Sequence, residues 1–135
     1  MDLKFDFKKE QSPIFGIIYR PMAKVLFWSK KDNYWVSIRM VIDTGADYTL
    51  LPRFMAEKLG VNVEKECQIF HTRGIGGTGK VYFLSQIKVK LGNWTRTIPV
   101  GFLDKDNIPP LLGRQKFLET FDTEFLKKHI VVFKS

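Results

Sequence analysis

The residues with the most chemistry to offer fall in one run, Val41-Ile42-Asp43-Thr44-Gly45-Ala46-Asp47-Tyr48-Thr49-Leu50-Leu51. Apolar residues lead into Asp43, and an apolar pair follows a short polar gap. A carboxylate at the end of a buried strand is costly unless something pairs or hydrogen-bonds it. Thr44 supplies a hydroxyl beside it, and Gly45 lets backbone approach with no side chain in the way. Such a run can hold a carboxylate rigid in an otherwise apolar crevice. Taken alone, Asp-Thr-Gly also suits a strand that ends in an ordinary turn, where Asp and Gly are common. The rest of the chain has to decide between these readings.

Two further stretches stand out. Gly74-Ile75-Gly76-Gly77-Thr78-Gly79 places four glycines in six residues, about thirty residues after Asp43. Leu111-Leu112-Gly113-Arg114 puts a guanidinium directly after an apolar pair and a glycine. The remaining candidates are weaker. His71 and His129 are isolated and lack metal-ligand spacing, so neither a metal nor another cofactor is expected. Cys67 has no evident base partner and reads as an inert thiol. Trp28, Trp35 and Trp94 read as packing residues.

The elements that must position Asp43 can be read from periodicity. Residues 1–12 read as a polar, loose arm. Ile14 to Tyr19 and Lys24 to Trp28 are strand candidates, separated by Pro21, and Ser29 to Asn33 is a turn. From Tyr34 to Ile42 the pattern alternates, with Val36, Ile38, Met40 and Ile42 on one face. A hairpin thus runs directly into Asp43. After the Asp-Thr-Gly turn, Pro52 suits a first helical turn and Gly60 a C-terminal cap, which predicts a short helix between them. Glu66 to Thr72, Lys80 to Leu91 and Trp94 to Leu103 read as extended. A short helix is expected from Arg114 to about Glu119, then strands at Phe121 to Leu126 and Ile130 to Phe133. The fold class is mainly β, a small barrel or sandwich with one or two short helices.

Composition bounds the rest. A chain of 135 residues is one domain, residues 1–135, with enough length for a real core. Its 44% hydrophobic and 27% charged residues are ordinary for a globular protein. The net charge of +8 could steer anionic partners. The basic residues are scattered in pairs such as Lys8-Lys9 and Lys127-Lys128, with no nucleic-acid motif, so nucleic acid is not the expected partner. The single cysteine rules out an intrachain disulfide and fits a reducing compartment. No apolar signal core opens the chain and no run reaches membrane-spanning length. A soluble, cytoplasmic protein without a membrane partner is expected.

Taken in order, Ile42-Asp43-Thr44-Gly45-Ala46-Asp47, Gly74-Ile75-Gly76-Gly77 and Leu111-Leu112-Gly113-Arg114 resemble the retropepsin-like aspartic proteases, single-domain relatives of pepsin. The resemblance spans roughly residues 34–119. It implies a closed acid-protease β-barrel, half of a pepsin-like fold. The chain holds one Asp-Thr-Gly where pepsin holds two, so the resemblance implies a homodimer that hydrolyses peptide or protein substrates. Asp43, Thr44 and Gly45 would be catalytic, with Thr44 tying the two loops together. Ala46, Asp47 and Tyr48 would line the substrate, as would Gly74, Ile75, Gly76, Gly77 and Thr78 in a flap that closes over the peptide. Asp47 and Arg114 would pair to support the loop.

The chain departs from that pattern at both ends. A long arm precedes the catalytic strand, and an apolar segment with Phe121, Phe125 and Ile130 to Phe133 follows Arg114. In retroviral members the termini interleave in the dimer interface, and whether these termini do so stays open. Two functions of different class fit the residues. One is an aspartic endopeptidase; the other is a peptide-binding or dimerisation module on the same fold without turnover.

Overall fold

A computed structural model describes residues 2–74 and 77–135. In chain order the strands are β1 (Asp2–Asp6), β2 (Lys8–Ser12), β3 (Gly16–Arg20), β4 (Met22–Ser29), β5 (Tyr34–Ile42) and β6 (Thr49–Pro52). They continue as β7 (Gln68–Gly74), β8 (Gly77–Leu91), β9 (Trp94–Leu103), β10 (Leu111–Leu112), β11 (Asp122–Leu126) and β12 (Ile130–Lys134). Two short helices, α1 (Phe54–Lys58) and α2 (Val63–Glu66), lie between β6 and β7.

Alternation in β5 has the expected consequence. Val36, Ile38, Met40 and Ile42 are all buried, while Tyr34, Ser37 and Arg39 are exposed. The strand can therefore bury one face and still hydrogen-bond on both sides. It pairs antiparallel with β4 from Met22↔Val41 to Ser29↔Tyr34, and parallel with β10 at Leu111↔Val41 and Leu112↔Ile42. The sheet runs β4-β5-β10-β6-β9-β8-β7, and β4 also pairs with β8 at Leu26↔Lys90 and Phe27↔Val89. That last pairing closes a six-stranded mixed barrel, from which β7 hangs on the outer side of β8. A register shift between Leu84 and Ile87 bends β8. One half can thus pair with β7 in a hairpin while the other closes the barrel.

The barrel is filled by Phe27, Met40, Leu51, Ile98, Phe102 and Leu112, each fully buried. Taking one such side chain out of water contributes about 1.5–3 kcal/mol. The helix α1 ends at Gly60 as its sequence suggests. Gly60 has φ +73°, and a side chain there would meet the Lys31 backbone at 2.6 Å, so the cap and the β4–β5 turn require glycine.

Two expectations are corrected. A loose arm was expected over residues 1–12, and the described residues 2–12 instead form two strands. β1 pairs antiparallel with β12 from Asp2↔Lys134 to Asp6↔Ile130, and β2 pairs with β3. The reason is visible in the burial: Leu3, Phe5 and Phe7 alternate with charged residues and pack against the core. The segment after Arg114 is not an α-helix but a series of turns ending in a 3-10 turn, Leu118–Thr120. There Phe117, Leu118 and Phe121 are all buried, and Trp94 sits against Phe117 and Phe121 with ring centroids 4.9 and 4.8 Å away. Aromatic packing thus sets the path of this segment, and helical periodicity does not. The strands β1, β12 and β11 form a separate three-stranded sheet, joined to the barrel through this aromatic cluster by contacts such as Phe121–Phe133 at 5.5 Å.

No helix among the described residues is long and apolar enough to cross a membrane.

Candidate active site

Asp43 leaves β5 where the barrel opens. Its backbone N–H donates to the Leu112 carbonyl at 3.0 Å, which extends the β5–β10 ladder to the carboxylate-bearing residue itself. The chain then turns at once, and Ala46 N–H donates back to the Asp43 carbonyl at 3.2 Å. Inside that turn Gly45 N–H donates to Asp43 Oδ1 at 2.9 Å. A Cβ on Gly45 would lie 3.3 Å from that same oxygen, so glycine keeps this approach open. Asp43 is half-buried and Oδ2 accepts from no described residue. One oxygen is fixed and the other remains available to a water or a substrate. Thr44 and Gly45 are exposed beside it.

Arg114 holds the loop from below. Its Nη1 donates to the Thr44 carbonyl at 2.6 Å and its Nη2 to Asp47 Oδ1 at 2.6 Å. The planar fork suits two acceptors at once, which an ammonium could not serve in the same geometry. The backbone repeats the connection: Arg114 N–H donates to the Ala46 carbonyl at 3.1 Å and Gln115 N–H to the Asp47 carbonyl at 2.8 Å. The side chains are 42% and 76% exposed for Arg114 and Asp47, so the pair acts by positioning more than by raw stability.

One residue in this layer escaped the sequence reading. Thr49 is fully buried, and its Oγ1 accepts from Gly113 N–H at 3.2 Å. Gly113 packs so tightly on the Tyr48–Thr49 backbone that an added Cβ would sit 2.2 Å from the Tyr48 carbonyl carbon. The signal for Thr49 was a lone hydroxyl immediately before the apolar Leu50-Leu51. Tyr48 itself is half-buried, with its ring edge-on to Phe83 at 5.4 Å. Phe83 in turn meets Phe70 edge-on at 5.8 Å. Burial pushes the Tyr48 phenol up from its ordinary value, and the neighbouring Asp47 charge adds to that.

The glycine-rich stretch lies at the junction of β7 and β8, which pair through Arg73↔Thr78 and Gly74↔Gly77. Ile75 and Gly76 lie outside the described residues. Ala46, Asp47 and Tyr48 are brought together with Asp43 by the single turn they share. Among the described residues no group of three or more His, Cys, Asp or Glu side chains could hold a metal ion. Cys67 is half-buried, and burial pushes its thiol up, which matches an unreactive side chain.

A family model described as aspartyl protease matches residues 33–115, a span that contains Asp43, Gly113 and Arg114. Among solved structures, the chain is similar to a retropepsin-like aspartic protease from Rickettsia conorii. That match has 20% identity and a TM-score of 0.70, and it covers 98% of each chain. It is also similar to the EIAV protease complexed with the inhibitor HBY-793, at 18% identity and a TM-score of 0.54, covering 82% of this chain and 93% of that one. At these identities the likeness shows the fold, which is retropepsin-like. No curated protein matches the sequence at a significant level.

Proposed function

This chain belongs to the aspartyl protease family, and from that premise we propose that it is a homodimeric aspartic endopeptidase in which two copies of Asp43 form the catalytic pair. The observation that carries the reading is the Asp43 carboxylate. It is held by Gly45 N–H at 2.9 Å on an exposed turn, with one oxygen unengaged among the described residues. The chain supplies this arrangement once, so a second copy completes the site.

The chemistry requires the second carboxylate. Amide hydrolysis without a covalent intermediate needs a base to activate water and an acid to protonate the carbonyl oxygen. Two carboxylates about 3 Å apart do not both ionise readily, so the pair holds one proton. The ionised member takes the proton of a water between them while its partner donates to the scissile carbonyl. Gly45 N–H keeps Asp43 Oδ1 oriented. Thr44, exposed beside it, would tie the two loops together across the two-fold axis. Arg114 holds the Thr44 carbonyl and Asp47 so that the turn does not open when substrate enters.

Ala46, Asp47 and Tyr48 are assigned to the substrate cleft because they continue the turn that begins at Asp43. Gly74, Ile75, Gly76, Gly77 and Thr78 are assigned to a flap whose closure excludes water. Residues 1–135 are taken as one catalytic domain, acting on peptide or protein chains with no cofactor, nucleic acid or membrane partner, in the reducing cytoplasm that a lone half-buried thiol suits.

The experiment is incubation of the purified protein with a diverse peptide mixture at several pH values, with and without a pepstatin-type inhibitor. Cleavage inside peptides that the inhibitor blocks is the expected result. Peptide binding without cleavage at any pH would replace the endopeptidase reading with that of a binding module.

A further inference from the structure

The outer face of the barrel carries cations that have no acid among them. Alternation turns Lys24, Leu26 and Trp28 of β4 and Trp35, Ser37 and Arg39 of β5 away from the core. In register, Lys24 lies opposite Arg39 and Trp28 opposite Trp35. Leu26 also pairs with Lys90 of β8, which brings Lys88 and Lys90 onto the same face. Like charges directly opposite one another destabilise a sheet, and Lys24 and Arg39 are such a pair. No ion pair among the described residues includes Lys24, Arg39, Lys88 or Lys90.

Two tryptophans fix where half of that charge sits. Their rings, Trp28 and Trp35, meet edge to face with centroids 5.3 Å apart. The Lys88 ammonium lies over both, 6.0 Å from Trp28 and 5.8 Å from Trp35, and the Lys90 ammonium lies over Trp35 at 6.0 Å. Attraction to the ring faces thus gathers two ammoniums onto one indole, against their mutual repulsion. A carboxylate placed between them relieves that repulsion and accepts two charge-assisted hydrogen bonds. Beside them is a hollow of about 200 Å³ with Trp28, Leu59, Leu84 and Ile87 in its wall, room for one apolar side chain. The acid at its rim, Glu66, is already paired with Lys30.

We propose that this face is an exosite for an acidic segment of the protein substrate. The segment's carboxylates meet Lys88, Lys90, Lys24 and Arg39, and one of its apolar side chains enters the hollow beside Trp28. The proposal rests on the endopeptidase reading above and names a substrate class for it. Charge complementarity sets the sign of the occupant. The lysines set its kind. Each tryptophan already has an ammonium over its ring, so nucleic-acid bases would have to displace lysines to stack there. A peptide carboxylate instead binds the ammoniums where they stand. The cations also lead back to the catalytic turn. Along β5, at about 3.3 Å per residue, Arg39 lies about 13 Å from Asp43 and Trp35 about 26 Å. An extended chain needs about eight residues to reach from Asp43 to the tryptophans, so the acidic segment lies well outside the residues that flank the scissile bond.

The test compares binding with turnover. A fluorescent glutamate-rich peptide with a central phenylalanine is titrated with the protein by anisotropy. Two substrates sharing one cleaved sequence are then assayed, one of them joined to that acidic segment by a flexible spacer of about 20 residues, whose average reach is about 25 Å. The wild type should bind the peptide and cut the extended substrate with the lower KM. The double variant Lys88→Gln, Lys90→Gln should weaken peptide binding about tenfold and lower the extended-to-short ratio of kcat/KM by about as much. Lys127→Gln with Lys128→Gln removes the same charge from the β11–β12 turn and should leave both within about twofold. Raising the salt from about 0.05 M to 0.5 M should erase most of the difference between the two substrates. Equal KM for the two substrates, or equal losses in the two double variants, would show that the face recruits no acidic segment. Oligothymidylate that binds more tightly than the peptide and displaces it would assign the face to nucleic acid and overturn the proposal. Peptide binding that depends on Lys88 and Lys90, with neither substrate cut, would support the acidic-segment site while removing the endopeptidase reading.

Discussion

Replacing Gly113 with alanine should damage the active-site turn without touching a catalytic group. The added Cβ would stand 2.2 Å from the Tyr48 carbonyl carbon, 2.3 Å from its oxygen and 2.8 Å from Thr49 N. All three are backbone atoms, so no side-chain rotation relieves the contact. Ordinary contact begins at 3.4 Å, which requires a displacement of about 1.2 Å. A shift of that size along the contact, carried to Arg114, would lengthen its 2.6 Å bonds to Thr44 and Asp47 to roughly 3.8 Å, beyond hydrogen-bond reach. It would also loosen the buried Gly113–Thr49 bond. Overpacking costs about 1–3 kcal/mol and a lost buried hydrogen bond about 1–3 kcal/mol. The expected destabilisation is therefore about 2–6 kcal/mol, a fall in melting temperature on the order of 10 °C. Turnover on a peptide substrate at a temperature where the variant remains folded should fall about 100-fold, because misplacing a catalytic group by 1 Å costs that much. Circular dichroism melts and peptide hydrolysis measure the two effects. A variant that melts within about 2 °C of wild type and retains full turnover would refute the claim that this contact positions the turn.

Other perturbations separate positioning from stability. Arg114→Lys should lose the fork between Thr44 and Asp47, lowering turnover about tenfold while costing only about 1 kcal/mol in a denaturant melt, since both side chains are well exposed. Glu10 and Glu66 are held below the ordinary carboxylate value of 4.5 by their hydrogen bonds to Arg20 and Lys30. A depressed folded pKa gives stability that is present above 4.5 and is lost as pH falls through the folded value, so melting temperature should be flat from about pH 7 to 5 and decline below that. Burial pushes the Cys67 thiol up from 9.0, so alkylation by iodoacetamide near pH 8 should be slower than for an exposed cysteine; labelling at the exposed rate would contradict its half-buried setting. The rate of peptide hydrolysis should trace a bell against pH, because activity needs the pair of Asp43 carboxylates singly protonated. A rate that climbs steadily through about pH 9 would contradict the shared proton.

The parts of the fold that local pattern controls were legible in the sequence. Tyr34 to Ile42 alternates cleanly because one face meets the core, and the strand ends at Asp43 as its motif requires. Gly60 marks the end of α1 through its left-handed backbone. What escaped was set by partners distant in the chain. The first strand alternates Leu3 and Phe5 with Asp2, Lys4 and Asp6, yet its ladder partner is β12, which follows at the other end of the chain with Asp2 opposite Lys134. Without that partner the segment reads as a polar arm. The α2 turn was missed because it is four residues long, capped by Asn62, which accepts from the Glu64 and Lys65 N–H groups. The path after Arg114 follows the Trp94–Phe117–Phe121 cluster, which depends on β9 being in place. At the candidate site, Asp43, Gly45, Asp47 and Arg114 were singled out through their motifs, and the contacts Gly45–Asp43 and Arg114–Asp47 join them in pairs. Thr49 was not, because its partner is a backbone N–H at Gly113 that no side-chain pattern reveals.

The central claim is that two Asp43 carboxylates from two chains act together. Wild-type protein should be mixed with increasing amounts of folded Asp43→Asn at constant total concentration, allowed to exchange subunits, and assayed for peptide hydrolysis. Only wild-type pairs carry both carboxylates, so activity should fall as the square of the wild-type fraction, and Asp43→Asn alone should be inactive. Activity that falls in simple proportion to the wild-type fraction, or turnover by Asp43→Asn itself, would contradict the shared site.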